Sequence, residues 1–196
     1  VTLLEDKRDK NEINIAFICT YFAEWQGLDL LLKSIVTNLE LIDRHNVKFH
    51  LIGEIYENDL EFIKKYKLSK NIISYGVLLS DQYKDILEKC DIGLNSLALE
   101  RENLQEGASL KVREYLSYGL PVYSNNKDTA LPITFEFYQI AQLSLEEIVD
   151  FALTMKNFSR IEVRNASCKY ISKIIILEKL YREISDTYHE NNNSLE

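Results

Sequence analysis

The amino-acid sequence predicts an α/β fold: a doubly wound, mostly parallel sheet flanked by helices, with further helices at the C-terminal end. Two observations lead to this prediction. Short apolar runs rich in isoleucine and valine alternate with longer segments whose apolar residues recur every three or four positions. The first run, INIAFIC, is almost continuously apolar, as expected of a strand that is buried on both faces of a parallel sheet.

The predicted elements alternate along the chain. The strands are the apolar runs 13–19, 47–52, 71–75, 91–97, 121–124 and 135–140. The helices are the periodic segments 28–44, 59–67, 80–90, 110–118, 145–156 and 161–188. Residues that can serve as N-caps stand at the start of three of these helices, namely Ser80, Ser109 and Ser144. This order of elements is typical of a Rossmann-like domain, whose ligands bind beyond the carboxyl ends of the strands.

The predicted domain has charged or polar ends. Residues 1–12 are charged and lack periodicity, which indicates a linker from a preceding domain that is absent. Residues 13–190 form one Rossmann-like domain, and the polar residues 191–196 a disordered tail. In the predicted helix 59–67, we expect Leu60, Ile63 and Tyr66 to face the core.

Composition restricts the class of protein. The chain has 196 residues, of which 46% are hydrophobic and 28% charged, as in one globular domain with a sizeable core. The net charge of -8 argues against nucleic-acid binding, which needs a clustered basic surface. No apolar run is long enough to cross a bilayer, and the first residues lack a leader pattern, so we expect at most peripheral membrane contact.

The cysteines and histidines carry no recognisable motif. Cys19, Cys90 and Cys168 are odd in number and widely spaced, which favours reduced thiols in a cytoplasmic protein. The three histidines do not have the spacing of metal ligands. The sequence therefore predicts no metal site and no cofactor.

The most informative stretch runs from residue 95 to residue 125 and reads NSLALERENLQEGASLKVREYLSYGLPVYSN. It predicts a strand, a loop, a helix over 110–118, a tight turn at Gly119 and a strand after Pro121. Glu106 lies in the loop before the helix and Glu114 just past its first turn, with seven residues between them.

A helix that starts in a crevice of such a sheet favours anions, because its first amides are unpaired and its dipole is positive there. Gly107 and Ser109 are small, so a ligand can approach the backbone closely. Lys111 and Glu114 share a helix face, which suits a phosphate and a sugar diol. The alternative is an ordinary exposed polar face beside a helix that packs in the core.

The run EGASLKVREYLSYGLPVY resembles the Glu-x7-Glu signature of retaining, group 1 nucleotide-sugar glycosyltransferases of GT-B architecture, and especially their bacterial branch. The resemblance extends from Asn14 to about Ile184 and follows the C-terminal, donor-binding half of such enzymes. It implies a role in polysaccharide biosynthesis. It also implies a partner domain for the acceptor, which this chain is too short to hold, so the isolated chain should bind nucleotide but turn over poorly or not at all.

The resemblance assigns roles to residues of the central stretch. Glu106 would contact hydroxyls of the donor sugar, and Glu114 the ribose diol. The amides around Ser109 and Leu110 would bind the diphosphate of a UDP or GDP sugar. Lys111 would stabilise the charge that grows on the departing phosphate, and retention would follow from attack on the front face of the sugar.

The resemblance also covers two earlier turns. The turn at Gly76 and Val77 would read the base through main-chain groups, although an ordinary strand-to-helix turn has the same pattern. The first loop of the family carries an arginine and then Lys-Gly. Here Tyr21 and Gln26 hold the places of the basic residues and Gly27 is kept, which removes charge-assisted contacts worth roughly 1.5–3 kcal/mol each.

Other functions remain open on the sequence alone. A sugar-nucleotide epimerase half would use a related fold. A non-catalytic nucleotide-binding or scaffold module would explain the loss of the basic residues in the first loop. A flavodoxin-like or receiver-like module would not predict the pair of glutamates.

Overall fold

The computed structural model describes residues 3–193, with side chains described through residue 185. The strands are β1 (Ile13–Tyr21), β2 (Val47–Glu54), β3 (Ile72–Ser74), β4 (Ile92–Leu94), β5 (Glu106–Gly107), β6 (Val122–Ser124), β7 (Lys127–Asp128) and β8 (Tyr138–Ile140). Six of them form one parallel sheet in the order β3-β2-β1-β4-β6-β8, and β5 pairs with β7 separately. The doubly wound, Rossmann-like sheet predicted from the sequence is confirmed.

Eight α-helices connect and cover these strands within residues 3–193. They are α1 (Leu28–Thr37), α2 (Leu39–Arg44), α3 (Glu57–Lys65), α4 (Lys84–Leu87), α5 (Leu110–Ser117), α6 (Leu145–Met155), α7 (Arg160–Ile171) and α8 (Lys173–Asn193). The chain runs from β1 to β2 in one direction across the sheet and from β4 to β6 in the other. Because such crossovers are right-handed, α1 and α5 lie on opposite faces of the sheet.

The central strands form the floor of the core. Every residue of the run from Ile13 to Cys19 is buried, as the apolar pattern predicts. On α5, Val112, Tyr115 and Leu116 are fully buried, which confirms the predicted inner face of that helix. The order of strands reverses between β1 and β4, so the carboxyl edge of these two strands is the place where such sheets bind ligands.

The predicted helix 28–44 is wrong in its continuity, because it divides at Asn38. The side chain of Asn38 donates to the Ser34 carbonyl at 2.8 Å, and the Thr37 hydroxyl donates to the same carbonyl at 3.0 Å. Side chains of this kind compete with the amides for helical carbonyls. The residues after Asn38 therefore start a separate helix, α2.

The predicted inner face of the next helix is also wrong in part. Ile63 is buried, but Leu60 and Tyr66 are 46% and 40% exposed. The Tyr66 ring packs on Phe62, with centroids 4.5 Å apart, at the surface. The reason is that α3 packs against α1 and the turn at 68–70, so only one side of it enters the core.

The helix predicted over 80–90 shrinks to the four residues of α4. Ser80 therefore caps no helix. The Leu79 amide donates to Gln82 Oε1 at 2.7 Å, which closes a turn. Tyr83 leaves this turn for the interior, where its hydroxyl donates to Glu114. These local contacts replace the first turns of the predicted helix.

The segment before β1 contacts the domain, and helical structure extends further towards the C-terminus than predicted. Leu4 is buried, the Lys7 ammonium lies 2.6 Å from Glu88 Oε2, and Arg8 donates to two carbonyls of the segment 155–158. Residues 4–8 thus contact the rest of the domain, and the role of this segment as a linker stays a prediction. The segment 161–188 is helical but divided at Ser172, and α8 continues through Asn193, past the start of the predicted tail; residues 194–196 lie outside the described range.

Candidate functional site

A crevice opens where β1 and β4 diverge. The two strands pair as far as Phe17 and Leu94. At the next residue of β1, the Ile18 amide donates to the Tyr115 hydroxyl at 2.8 Å. A side chain of α5 thus provides the hydrogen bond where the pairing with β4 has ended. A Cβ on Gly93 would lie 2.7 Å from the Tyr115 ring, so glycine is needed for the ring to rest on β4. These contacts fix α5 at the point where the strand order reverses.

The first turn of α5 presents unpaired amides. Ser109 occupies the N-cap position with extended backbone angles, φ -75° and ψ 132°, as predicted. Its hydroxyl, however, makes no capping hydrogen bond, so its predicted capping role is wrong. Among the described residues, the amides of Ala108, Ser109 and Leu110 donate to no protein acceptor. Such a helix start can bind an anion.

Glu106 and Gly107 precede this turn as strand β5, which pairs with Lys127 and Asp128 of β7. Glu106 is exposed, and one of its carboxylate oxygens lies 3.4 Å from the Lys127 ammonium. The carboxylate is therefore held loosely at the surface, where a ligand hydroxyl can reach it.

A buried ion pair holds β7, the partner strand of β5, and α5 together. Arg113 of α5 donates to both carboxylate oxygens of Asp128, with 2.7 Å from Nη2 to Oδ1. Asp128 is 1% exposed and also accepts from the Ala130 amide. The sequence does not indicate this pair, because two residues fifteen positions apart, one in a helix and one in a short strand, leave no periodic signal.

Glu114, the second glutamate, lies on the second turn of α5 and is half-buried. Its Oε1 accepts a hydrogen bond of 2.6 Å from the Tyr83 hydroxyl. Burial, and then the hydrogen bond to Glu114, raise the pKa of Tyr83, so the phenol keeps its proton. Tyr83 thus orients one carboxylate oxygen. The sequence predicts a regular helix around Tyr83 and does not indicate the contact with Glu114.

Lys111 points inward in this structure. Its ammonium donates to Gln26 Oε1 at 2.6 Å and to Cys19 Sγ at 3.3 Å, and it lies 5.1 Å from the centre of the Phe17 ring. Burial lowers the pKa of Lys111. The structure therefore joins Lys111 to the residue that stands in the first loop where the resemblance expects a lysine. A contact of Lys111 with phosphate stays a prediction.

Two glycines shape the turns on the far side of the crevice. Gly27 has φ +77°, and a Cβ there would lie 3.0 Å from the Leu97 side chain. Gly76 has φ +67° with no atom within 4 Å of an added Cβ, and Val77 beside it is 61% exposed. The turn at residues 76 and 77 is therefore open to a ligand. Tyr21, at the end of β1, is 47% exposed.

Metal clusters and membrane-spanning helices can be assessed over residues 3–193. Within these residues, no group of three or more histidine, cysteine, aspartate or glutamate side chains could hold a metal ion. None of the helices in the same range is both long enough and apolar enough to cross a membrane.

A family model described as "Glycosyl transferases group 1" matches residues 12–133, which is more than half of the chain and includes β1 through β7 with both glutamates. The chain belongs to the group 1 glycosyltransferases. A comparison with curated proteins gives no match.

Solved structures of glycosyltransferases share the fold of this group 1 domain. A point mutant of S. aureus TarM, in complex with Fondaparinux, alpha-GlcNAc-glycerol and UDP, matches with a TM-score of 0.67 and 20% identity over 91% of this chain. The pneumococcal O-GlcNAc transferase GtfA, in complex with UDP and GlcNAc, matches with a TM-score of 0.62 and 18% identity over 96% of this chain.

The group 1 domain spans only part of these two enzymes, 36% of TarM and 38% of GtfA. A third structure is closer in length to this chain. The C-terminal domain of the group 1 glycosyltransferase LpcC from Francisella tularensis matches with a TM-score of 0.54 and 16% identity, and the match covers 85% of this chain and 84% of that one. At sequence identities of 16–20%, the similarity to these structures shows a shared fold.

Proposed function

We propose that this chain is the donor-binding half of a glycosyltransferase that moves a sugar from a nucleoside diphosphate to an acceptor hydroxyl with retention of configuration. The observation that carries the proposal is the first turn of α5, where unpaired amides lie between two carboxylates, Glu106 and Glu114. Amides at a helix start bind phosphates, and carboxylates accept hydrogen bonds from sugar hydroxyls.

In this proposal each group has one task. The amides of Ser109 and Leu110 bind the diphosphate, and Gly107 lets it approach the backbone. Glu114 accepts from the ribose diol with the oxygen that Tyr83 does not use, because Tyr83 donates only to Oε1. The exposed carboxylate of Glu106 orients the donor sugar.

The base of the nucleotide rests on the turn after β3. The backbone there is open at Gly76, and Val77 offers an exposed apolar surface. Main-chain donors and acceptors of this turn read the base. This assignment keeps base, ribose and diphosphate along the carboxyl edge of the sheet, where doubly wound folds bind ligands.

Catalysis in this proposal depends on positioning and electrostatics. As the glycosidic bond to phosphate breaks, negative charge grows on the leaving oxygen, and the amides at the start of α5 stabilise it. The Lys111 ammonium, which is held by its hydrogen bond to Gln26, adds a positive charge on the inner side of the same turn. Glu106 acts by orienting the sugar and forms no covalent bond with it.

The rest of the reaction needs a second domain. The chain spans less than two fifths of TarM and GtfA, and it matches the C-terminal domain of LpcC over most of both chains. We therefore propose that an N-terminal domain supplies the acceptor site, and that this chain alone binds a UDP or GDP sugar with little turnover. We place the protein in the cytoplasm, where nucleotide sugars are the donors.

One observation favours a second candidate function, a nucleotide-binding module without transferase activity. Tyr21 and Gln26 stand at the two places where the family carries basic residues, and the Lys111 ammonium is engaged by Gln26. A module of this kind would bind nucleotide with similar affinity whether or not a sugar is attached.

Calorimetric titration with UDP, GDP and UDP-GlcNAc tests the proposed site. We expect Glu114→Ala to raise the Kd for the preferred nucleotide about tenfold or more, because a charge-assisted hydrogen bond is lost. Glu102→Ala removes an exposed carboxylate from the neighbouring turn and is the matched control, with unchanged affinity expected. Equal affinity of Glu114→Ala and the unmodified chain, with circular dichroism unchanged, would remove the ribose role of Glu114.

Retention is tested on the chain joined to its acceptor domain. Proton NMR of the product reports the anomeric configuration through the coupling constant of the anomeric hydrogen. We expect the configuration of the donor. A product of opposite configuration would exclude front-face attack, and absence of transfer together with tight nucleotide binding would favour the non-catalytic module.

A further inference from the structure

A second cavity, of about 610 Å³, lies beside α1 and the loops that follow β4, β6 and β8. It shares no lining residue with the first turn of α5 or with the turn at residues 76 and 77. Its polar lining consists of Ser34, Glu100, Gln105, Asn125, Asn126 and Gln142. Five leucine side chains complete the wall.

The chemistry of this lining favours a neutral, hydroxyl-rich ligand. Carboxamides donate and accept at once, so each can pair with two neighbouring hydroxyls of a sugar. The leucines offer an apolar surface for the C–H groups of a sugar ring. Neither lysine nor arginine lines the cavity, so it does not suit a phosphate.

The polar groups are held in place before any ligand binds. Asn125 Nδ2 donates to Glu100 Oε2 at 2.7 Å. Asn126 is buried, and its Oδ1 accepts from the Ser124 hydroxyl at 3.0 Å and from Asn95 Nδ2 at 3.3 Å. A site whose side chains are already ordered loses less entropy on binding.

Two acceptor atoms of the same network receive no hydrogen bond. The Oδ1 atoms of Asn95 and Asn125 are buried, and within the described part of the chain neither accepts a hydrogen bond. A buried acceptor without a donor is costly, and such atoms are uncommon in folded proteins. Of these two residues only Asn125 lines the cavity, and its Oδ1 meets a sugar hydroxyl once the side chain turns towards the opening.

We propose that this cavity binds a neutral sugar residue, at a carbohydrate site separate from the one proposed for the nucleotide sugar. Gln105 connects the two, because it lines the cavity and directly precedes Glu106 on β5. The cavity contains none of the groups assigned to the nucleotide, so each of the two proposed sites can be confirmed or excluded without the other.

Saturation-transfer NMR on the chain tests this site with methyl α-glucopyranoside, methyl β-galactopyranoside, N-acetylglucosamine and maltose as probes. Ser34→Phe fills the cavity from α1, whereas Glu61→Phe places the same ring on the exposed face of α3, which does not line the cavity, and is the matched control. We expect at least one sugar to bind with a Kd of about 1 mM. Its affinity falls at least tenfold in Ser34→Phe and is unchanged in Glu61→Phe.

A second variant tests the same site in case Ser34→Phe fails to fold. Gln142 is exposed at the rim of the cavity, so Gln142→Ala keeps the fold, and we expect about threefold weaker sugar binding from the lost hydrogen bond. No saturation of any probe, with or without UDP, overturns the proposal and leaves the cavity to solvent. Undiminished signal in both Ser34→Phe and Gln142→Ala overturns it as well. Sugar binding in a chain that fails to bind UDP supports this cavity while removing the proposed nucleotide site.

Discussion

Helices α5, α6 and α7 each begin after a serine, and only two of these serines close the helix start. Ser144 accepts a hydrogen bond from the Glu147 amide at 3.3 Å, before α6. Ser159 accepts from the Glu162 amide at 3.3 Å, and the Ser159 amide donates in return to the Glu162 carboxylate at 2.7 Å. Ser109, at the start of α5, makes no such bond. The same residue type thus has a structural role at two helix starts and leaves the third open.

These helix starts also differ at the third residue of the helix. In α7 that residue is Glu162, which completes the capping box. In α5 it is Val112, which is fully buried in the core and cannot reach back to the amides. Support for α5 comes instead from behind, through the Arg113–Asp128 ion pair and the Tyr115 hydroxyl. The start of a helix can therefore stay open for a ligand when contacts further along hold the helix in place.

The largest effect is expected from breaking that support. Arg113→Leu leaves the buried Asp128 carboxylate without its cation, which should lower the free energy of unfolding by about 3–5 kcal/mol. Urea unfolding followed by circular dichroism measures the loss. The control is Lys70→Leu, which removes an exposed ion pair with Asp43 and should change the stability by less than about 1 kcal/mol. Equal losses in both variants would show that α5 does not depend on this pair.

A smaller effect, on binding, comes from removing one open amide. Leu110 is the first residue of α5 and 85% exposed, and Ser109 before it already has extended backbone angles. Proline is tolerated at such a position but has no N–H. We expect Leu110→Pro to keep the stability and to weaken nucleotide binding by roughly 1.5–3 kcal/mol, as for a lost charge-assisted hydrogen bond.

Leu110→Ala is the control for that substitution, because it removes the same side chain and keeps the amide. Calorimetry with UDP compares the two variants. If both bind UDP equally well, the diphosphate does not use the amide of Leu110, and the open start of α5 needs another explanation.

The smallest effect tests the serines directly. Ser159→Ala removes a working cap and should destabilise the domain by about 1 kcal/mol. Ser109→Ala removes a hydroxyl without a capping bond and should change the stability by less than about 0.5 kcal/mol. Thermal or urea unfolding of the two variants, side by side, measures the difference. A cost for Ser109→Ala as large as for Ser159→Ala would mean that α5 is capped in solution.

Patterns that repeat along the chain predicted the fold well. The buried run from Ile13 to Cys19 and the inner face of α5 were both visible in the sequence. Burial on both faces leaves a continuous apolar run, and burial on one face leaves an apolar period. Departures from regularity were not visible. The break at Asn38 and the short α4 arise from side chains that bond to nearby backbone or to a distant helix.

The residues of the candidate site also fall into those that the sequence indicates and those that only the fold brings together. The sequence located Glu106, Glu114 and the helix start, because a glutamate spacing and a turn can be read locally. It did not find Tyr83 or Arg113, whose partners lie 31 and 15 residues away. It also did not find the inward direction of Lys111, because only the fold brings Gln26 within reach of that side chain.

The Tyr115 hydroxyl has one more consequence. By spanning from α5 over β4 to the backbone of β1, this phenol closes the bottom of the gap between the two halves of the sheet. It sets how deep any bound molecule can descend, so selectivity between ligands must be decided by residues around the opening. Efforts to change which ligands this crevice accepts are therefore best directed at the rim loops, with the floor left unchanged.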